Sequence, residues 1–359
     1  MPSGTSIILA VLIMTSEAME IAVVHDGTIH PGGAVKVVTE AAHALDANLY
    51  VGFSGKTRSW WMDRVPNAVE ILRRTSRSGT LNDIRTARSM LNLDLRAYDV
   101  VLTSGPAAKF FQPYDDQLHV HYIHHPPLSS LWFTGGLFAY LVKNVDRIET
   151  AAIPHLIANS ELTSTRSFRQ YNREVDTVLP PPVNVDAFTA NANRVDNQLV
   201  MVGRLEERKR PLVVVDAMRE LPEYTLKLVG DGPLRDEIEQ DAPSNVDVLG
   251  YVDDSTVRTT IERSVAGVFL ADREDFGITP IEYMAAGTPV VGVDEPNTNN
   301  QVDESTGVLV EPTVETVVAG IRTAGERSWN RRAIREQAKQ YDTDRFRASL
   351  REFIEAVYF

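Results

Sequence analysis

Residues 199–211 read Leu199-Val200-Met201-Val202-Gly203-Arg204-Leu205-Glu206-Glu207-Arg208-Lys209-Arg210-Pro211. Four apolar residues in a row read as a short strand buried on both faces. A glycine then opens a loop, and Pro211 suits the first turn of the following helix, which reads to Leu221. The unit repeats downstream. Thr225 to Val229 is a strand stopped by Gly230-Asp231-Gly232-Pro233, with a helix from Leu234. Val246 to Leu249, Ala266 to Leu270 and Pro289 to Val293 continue the series. Strands alternating with helices specify a parallel sheet with helices on its faces.

The pattern also runs upstream. Ile21 to Val24 is a strand, His30-Pro31-Gly32-Gly33-Ala34 its loop, and Val35 to Leu45 its helix. Val100 to Leu102, Val120 to Ile123 and Leu156 to Ala158 are further strands, the last followed by a polar helix from Glu161 to Tyr171. Between the two series stands Pro180-Pro181-Pro182. Proline has no N–H and restricts its predecessor, so a triple proline makes a stiff extended connector. The fold class is therefore α/β, with two doubly wound, Rossmann-like domains and a cleft between them. The expected divisions are an extension at 1–18, a first domain at 19–185, a second at 195–335, and a terminal helical segment at 336–359. In that segment Phe346, Leu350, Phe353 and Val357 fall at helical spacing and need an apolar partner.

The 359 residues contain no cysteine, which excludes disulfides and cysteine-bound zinc. A formal net charge of −13 disfavours nonspecific nucleic-acid binding over the whole surface, and no nucleic-acid partner is expected. The absence of cysteine fits a cytoplasmic protein. Ile7 to Met14 is an apolar run too short for a bilayer, which takes ~20 residues. No Lys or Arg precedes it, so the reading favoured for residues 1–18 is an upstream extension or a misassigned start.

Four segments carry candidate chemistry. Glu274-Asp275-Phe276-Gly277-Ile278-Thr279-Pro280-Ile281-Glu282 has two readings. Thr279, Pro280 and Glu282 match an N-cap, a first-position proline and a capping-box glutamate. Equally, a helix N-terminus behind Gly277 offers N–H groups to a diphosphate, with Glu274 and Glu282 left to accept sugar hydroxyls. Arg204 and Lys209 lie at the ligand edge of a parallel sheet, where they clamp phosphate unless the cluster is merely solvated. Gly32-Gly33 permits close backbone approach or simply a tight turn, and G-x-G-x-x-G is absent. His124 and His125, after a strand, are candidate proton carriers or ordinary loop residues. Asp342-Thr343-Asp344 reads as a helix cap, so no dedicated metal is expected.

Together these segments resemble retaining glycosyltransferase family 4, of GT-B fold. The residues carrying the resemblance are Val202-Gly203-Arg204 with Lys209, Val229 to Pro233, Leu249-Gly250-Tyr251-Val252, and Glu274-x7-Glu282 followed by Ala286-Gly287-Thr288-Pro289. The first half adds Gly32-Gly33, Tyr122 to Pro126, Ala158-Asn159-Ser160, and Pro181 to Asn184 with Phe188. The resemblance implies a nucleotide-sugar donor as substrate, with no separate cofactor. It places Arg204 and Lys209 on the donor diphosphate, Glu282 on the ribose and Glu274 on the sugar ring. Gly277, Ile278 and Thr279 would offer backbone N–H groups, and Tyr251 and Val252 would lie near the base. His124, with His125 as rival, would stand by the donor sugar, and Gly33 by the phosphate or acceptor. The terminal helix would cross back onto the first domain. Catalysis would retain the anomeric configuration, the leaving diphosphate itself taking the acceptor proton.

Two departures stand out. Val293 to Asn300 lacks the family's common Gly-Gly turn, and Ala271-Asp272-Arg273 lacks its common serine. The histidine segment resembles mannosyltransferases that extend lipid-linked oligosaccharides. That implies transfer of a hexose, mannose or glucose, to a sugar or lipid-linked acceptor. Trp60-Trp61, Leu131-Trp132-Phe133 and Leu137 to Val142 are apolar and suit either a core or peripheral contact with the inner face of a membrane. A nucleotide-sugar epimerase and a noncatalytic sugar-nucleotide-binding subunit are the alternatives.

Overall fold

The computed structural model describes residues 19–27, 32–52, 64–65, 67–72, 79–126, 137–190 and 193–359, with backbone alone at 79–84, 137–139 and 141–142. Residues 1–18, His30-Pro31, Trp60-Trp61 and Leu131-Trp132-Phe133, read above, lie outside them.

The first sheet comprises β1 (Ile21–His25), β2 (Asn48–Val51), β3 (Val69–Glu70), β4 (Val100–Ser104), β5 (Leu118–Ile123), β6 (His155–Ala158) and β7 (Thr177–Val178). Its order is β3-β2-β1-β4-β5-β6-β7, and every pairing is parallel. All residues of β1 and β4 are buried, as expected of strands covered on both faces. The helices are α1 (Gly33–Ala44), α2 (Gly79–Leu91), α3 (Leu137–Ala152) and α4 (Glu161–Tyr171). Ser160 caps α4 by accepting from the Thr163 N–H, and Asn172 closes it in the left-handed conformation. Beneath α3 the buried Lys109 and Asp146 pair with each other, and Tyr171 donates to Asp146 at 3.2 Å.

The second sheet comprises β8 (Gln198–Val202), β9 (Thr225–Val229), β10 (Val246–Gly250), β11 (Ala266–Phe269), β12 (Val290–Val293) and β13 (Gly307–Val310), ordered β10-β9-β8-β11-β12-β13. It too is wholly parallel. Its helices are α5 (Pro211–Arg219), α6 (Arg235–Asp241), α7 (Asp254–Arg263), α8 (Ile278–Ala285), α9 (Thr298–Gln301), α10 (Val314–Glu326) and α11 (Arg331–Ala338). In each sheet the strand order reverses beside the first strand, at β1/β4 and at β8/β11. Ligands of doubly wound sheets bind at such switch points, beyond the carboxyl ends of the strands.

The chain passes between the halves twice, and the two passages are bonded to each other. The Val183 N–H donates to the Tyr341 carbonyl at 2.9 Å, and the Thr343 N–H to the Val183 carbonyl at 3.2 Å. Val183, Val185, Ile334 and Ala338 are buried in the second core. The division drawn at 335/336 thus falls inside α11, and the returning helix α12 (Thr343–Tyr358) begins later. Asp342 caps α12, accepting from the Asp344 N–H at 2.9 Å, and its other oxygen accepts from the Val185 N–H at 3.2 Å. Phe346, Leu350 and Ile354 of α12 lie in the core formed by α1 and the first sheet, and Phe353 and Val357 pack at its edge. Arg347 pairs with Glu40, and Arg351 donates to the Ala44 carbonyl.

Leu350 is wholly buried in this contact. Leu350→Ala is expected to cost about 2–5 kcal/mol in denaturant unfolding, because the cavity cannot collapse between a helix and a sheet. A cost under ~1 kcal/mol would mean that α12 is not part of the first core.

Candidate functional site

The loop after β8 is held from below by the loop after β9. The Gly203 N–H donates to the Val229 carbonyl at 3.0 Å, the Leu205 N–H to the Asp231 carbonyl at 3.0 Å, and the Leu234 N–H to the Leu205 carbonyl at 3.0 Å. A Cβ on Gly230 would sit 1.8 Å from the Gly203 carbonyl oxygen, so only glycine lets the two loops meet. The motif Val229 to Pro233 is thus a buttress for the Arg204 loop. Arg204 itself is exposed and pairs with Glu206 at 3.2 Å. Lys209 pairs with Glu274, and its ammonium stands 5.7 Å from the Phe269 ring centroid.

The loop after β11 leads into α8. Gly277 is its N-cap at φ +73°, and no side chain caps the first turn. This corrects the capping-box expectation. The helix starts at Ile278, so Thr279 is its second residue and Glu282 lies in its second turn, too far along to cap. The Glu282 carboxylate is therefore free for another partner. The first-turn N–H groups of Ile278 and Thr279, like that of Gly277, follow the carboxyl end of β11, beside the β8/β11 switch point. Tyr283, buried, anchors this helix: its hydroxyl accepts from the Val202 N–H at 2.9 Å and donates to the Val268 carbonyl at 3.3 Å.

The loop from Val293 to Asn300, which lacks a Gly-Gly turn, supports the same place by side chains. Asn297 and Gln301, both buried, donate to the Phe276 carbonyl just before Gly277. Glu295 pairs with Arg210 at 2.7 Å and accepts from the Arg273 N–H at 3.1 Å. Val252 packs beside the core that includes Phe276 and Ile281, while Tyr251 is exposed at 67%.

The first domain meets this site directly. A Cβ on Gly33 would stand 2.9 Å from Cδ1 of Ile278, so the first turns of α1 and α8 touch. One turn on, the Lys36 ammonium donates to Glu282 Oε1 at 2.5 Å, and the carboxylate holds Lys36 above its ordinary pKa. Asp275, nine-tenths buried, receives both His125 and Arg166 on its carboxylate, and its carbonyl accepts from Ser160 Oγ at 2.6 Å. Arg64 pairs with Asp254 at 3.0 Å. Lys36, Asp275 and Arg166 were not among the expected site residues. Lys36 was legible in part, since it lies three residues beyond Gly33 and so on the same helix face.

The two neighbouring histidines have different surroundings. His125 reaches the second domain through Asp275. His124 turns inward, its Nε2 2.7 Å from Ser104 Oγ and its ring 4.8 Å from that of Tyr122. Burial, and then the neighbouring His25, push His124 down to a pKa of about 3. It is therefore neutral near pH 7 and suits a hydrogen-bonding role better than that of the proton carrier considered above.

Two parallel doubly wound domains face each other across this cleft, with the terminal helix returned to the first. The fold is GT-B. Solved structures align along nearly the whole chain. Sucrose-phosphate synthase from Thermosynechococcus elongatus has a TM-score of 0.77 at 18% identity, covering 95% of this chain and 99% of that one. Anabaena Alr3699/HepE, in complex with UDP and glucose, has a TM-score of 0.75 at 17% identity, covering 94% and 100%. Residues 185–341 match the family described as Glycosyl transferases group 1. Among curated relatives, the peptide N-acetylglucosaminyltransferase GtfA subunit of Streptococcus pneumoniae is 25% identical over 54% of this chain and 40% of its own. Phosphatidyl-myo-inositol mannosyltransferase of Mycobacterium tuberculosis is 35% identical over 32% of this chain and 34% of its own. The chain thus spans well under half the length of the curated relatives it matches.

A histidine held near pKa 3 does not titrate in the neutral range. The His124 ring proton shifts, assigned by loss in His124→Gln, are expected to stay constant from pH 8 down to pH 5. A midpoint near 6.5, the unperturbed value, would contradict the inward, desolvated placement.

Proposed function

We propose that the protein is a nucleotide-sugar-dependent glycosyltransferase acting with retention of the anomeric configuration. The observation that carries this reading is the convergence at one switch point of Lys209, Glu274, Glu282 and the N-terminal turn of α8. In this reading the diphosphate lies against the N–H groups of Gly277, Ile278 and Thr279, where the helix dipole favours negative charge. Arg204 and Lys209 neutralise the charge that builds on the leaving diphosphate. Glu274 accepts from donor-sugar hydroxyls and Glu282 from the ribose. Tyr251 and Val252 border the base, and Gly33 approaches the sugar from the first domain, with the inward-turned His124 behind the sugar site rather than facing it.

The chemistry asked of the protein is chiefly electrostatic. The bond from the anomeric carbon to the diphosphate oxygen breaks as the acceptor oxygen bonds on the same face. The acceptor's proton passes to the leaving phosphate oxygen. Fixed cations and backbone N–H groups stabilise that oxygen without reorganising. No side chain need act as a base, which agrees with a neutral His124. The donor is a substrate, and the reaction so written uses no cofactor.

The donor sugar is assigned as a hexose, mannose or glucose, and the acceptor as a glycan, including a lipid-linked one. Two relatives whose names denote transfer to phosphatidylinositol species support the lipid reading. The exposed Tyr140 and Ile148 on α3 and Phe168 on α4 support a peripheral contact with a membrane from its cytoplasmic face. Among the described residues no helix is long and apolar enough to cross a membrane.

Incubation with labelled UDP- and GDP-hexoses and mixed lipid and sugar acceptors is expected to yield labelled glycan. An isomerised donor would instead indicate an epimerase, and binding without turnover a noncatalytic subunit. Lys209→Ala is expected to lower kcat/KM by about 10²–10³. Glu282→Ala is expected to weaken donor binding about 10–100-fold while thermal unfolding stays near wild type. Wild-type donor binding by Glu282→Ala would remove it from the site.

A further inference from the structure

Glu282 belongs to the second domain, yet its partner belongs to the first. Its side chain is only 13% exposed, while that of Lys36 is 46% exposed. A carboxylate so enclosed needs a counter-charge, because an uncompensated buried charge is costly. Lys36 supplies it on Oε1. Among the described residues Oε2 has no hydrogen-bond partner, so one oxygen is held and the other is available to a ligand. The contact of Gly33 with Ile278 lies one turn away, and Arg64 with Asp254 forms a second ion pair across the cleft. The Lys36 bond therefore exists only when the first turns of α1 and α8 are together.

We propose that Lys36 is a positioning residue for the donor site. It holds one oxygen of Glu282 and aims the free oxygen at the donor ribose, so that the ribose is gripped only when the first domain is closed over the second. This rests on the reading of Glu282 as the ribose ligand. Lys36 touches no reacting atom; it acts through Glu282. Since its own side chain is half exposed, its replacement opens no cavity, and thermal unfolding of each variant checks that the loss of the counter-charge leaves the fold in place.

The test is calorimetric titration of the full chain with UDP and with GDP, and with the 2′,3′-dideoxy form of whichever binds. Lys36→Met is expected to weaken binding of the ribonucleotide about tenfold, and Lys36→Arg to bind within about threefold of wild type. The dideoxy nucleotide is expected to bind wild type and Lys36→Met equally, since the hydroxyls that Glu282 would hold are missing. Unchanged ribonucleotide binding by Lys36→Met overturns the proposal. So does an equal loss with the dideoxy form, which would put Lys36 on the phosphates. A loss with Glu282→Ala but none with Lys36→Met removes only Lys36, whereas no loss with Glu282→Ala removes the ribose reading itself.

Discussion

The first turn of α8 is where the two halves of the molecule come to one point. Gly33 abuts the side-chain tip of Ile278, and Lys36 reaches Glu282 a turn further along. The position of α8 is fixed in turn by Tyr283, which ties it to the ends of β8 and β11, and by Asn297 and Gln301, which hold the carbonyl before its cap. A shift in that helix would move the proposed phosphate N–H groups, the ribose carboxylate and the domain contact together. In the proposed function, donor recognition and closure would therefore depend on this one helix.

Several ionisable groups of the cleft are partnered. Lys209 pairs with Glu274, Lys36 with Glu282, and Asp275 takes both Arg166 and His125. Each pair joins a group read as donor-binding, or its immediate neighbour, to a partner across a loop or across the cleft. A donor diphosphate would compete with Glu274 for Lys209, and sugar hydroxyls would take up the carboxylate released. In the proposed site, exchange of this kind would give each group a new partner as an anionic ligand enters.

Much of this was legible in the sequence because doubly wound domains leave local marks. Strands such as Leu199 to Val202 are continuous apolar runs, and the loops that follow carry glycine at fixed offsets. β2, β3, β7 and β13 were not read, since β3 and β7 are two residues long and β2 and β13 are buried at only half their positions. The capping box was misread because Thr-Pro-x-Glu satisfies the same pattern two residues past Gly277, the true N-cap. Lys36, Arg166 and Asp275 were missed because their meaning lies in contacts between residues 246, 109 and 150 positions apart. Tertiary pairing at such separations leaves no trace in local spacing.

The central claim is a single donor site on the second domain, closed by the first. Hydrogen exchange on the full chain, with and without saturating UDP or GDP, tests it most directly. The account predicts slowed exchange in residues 203–210 and 274–283 and, on the opposite domain, in 33–38. Protection confined to other segments, or to the second domain with 33–38 unchanged, would contradict it.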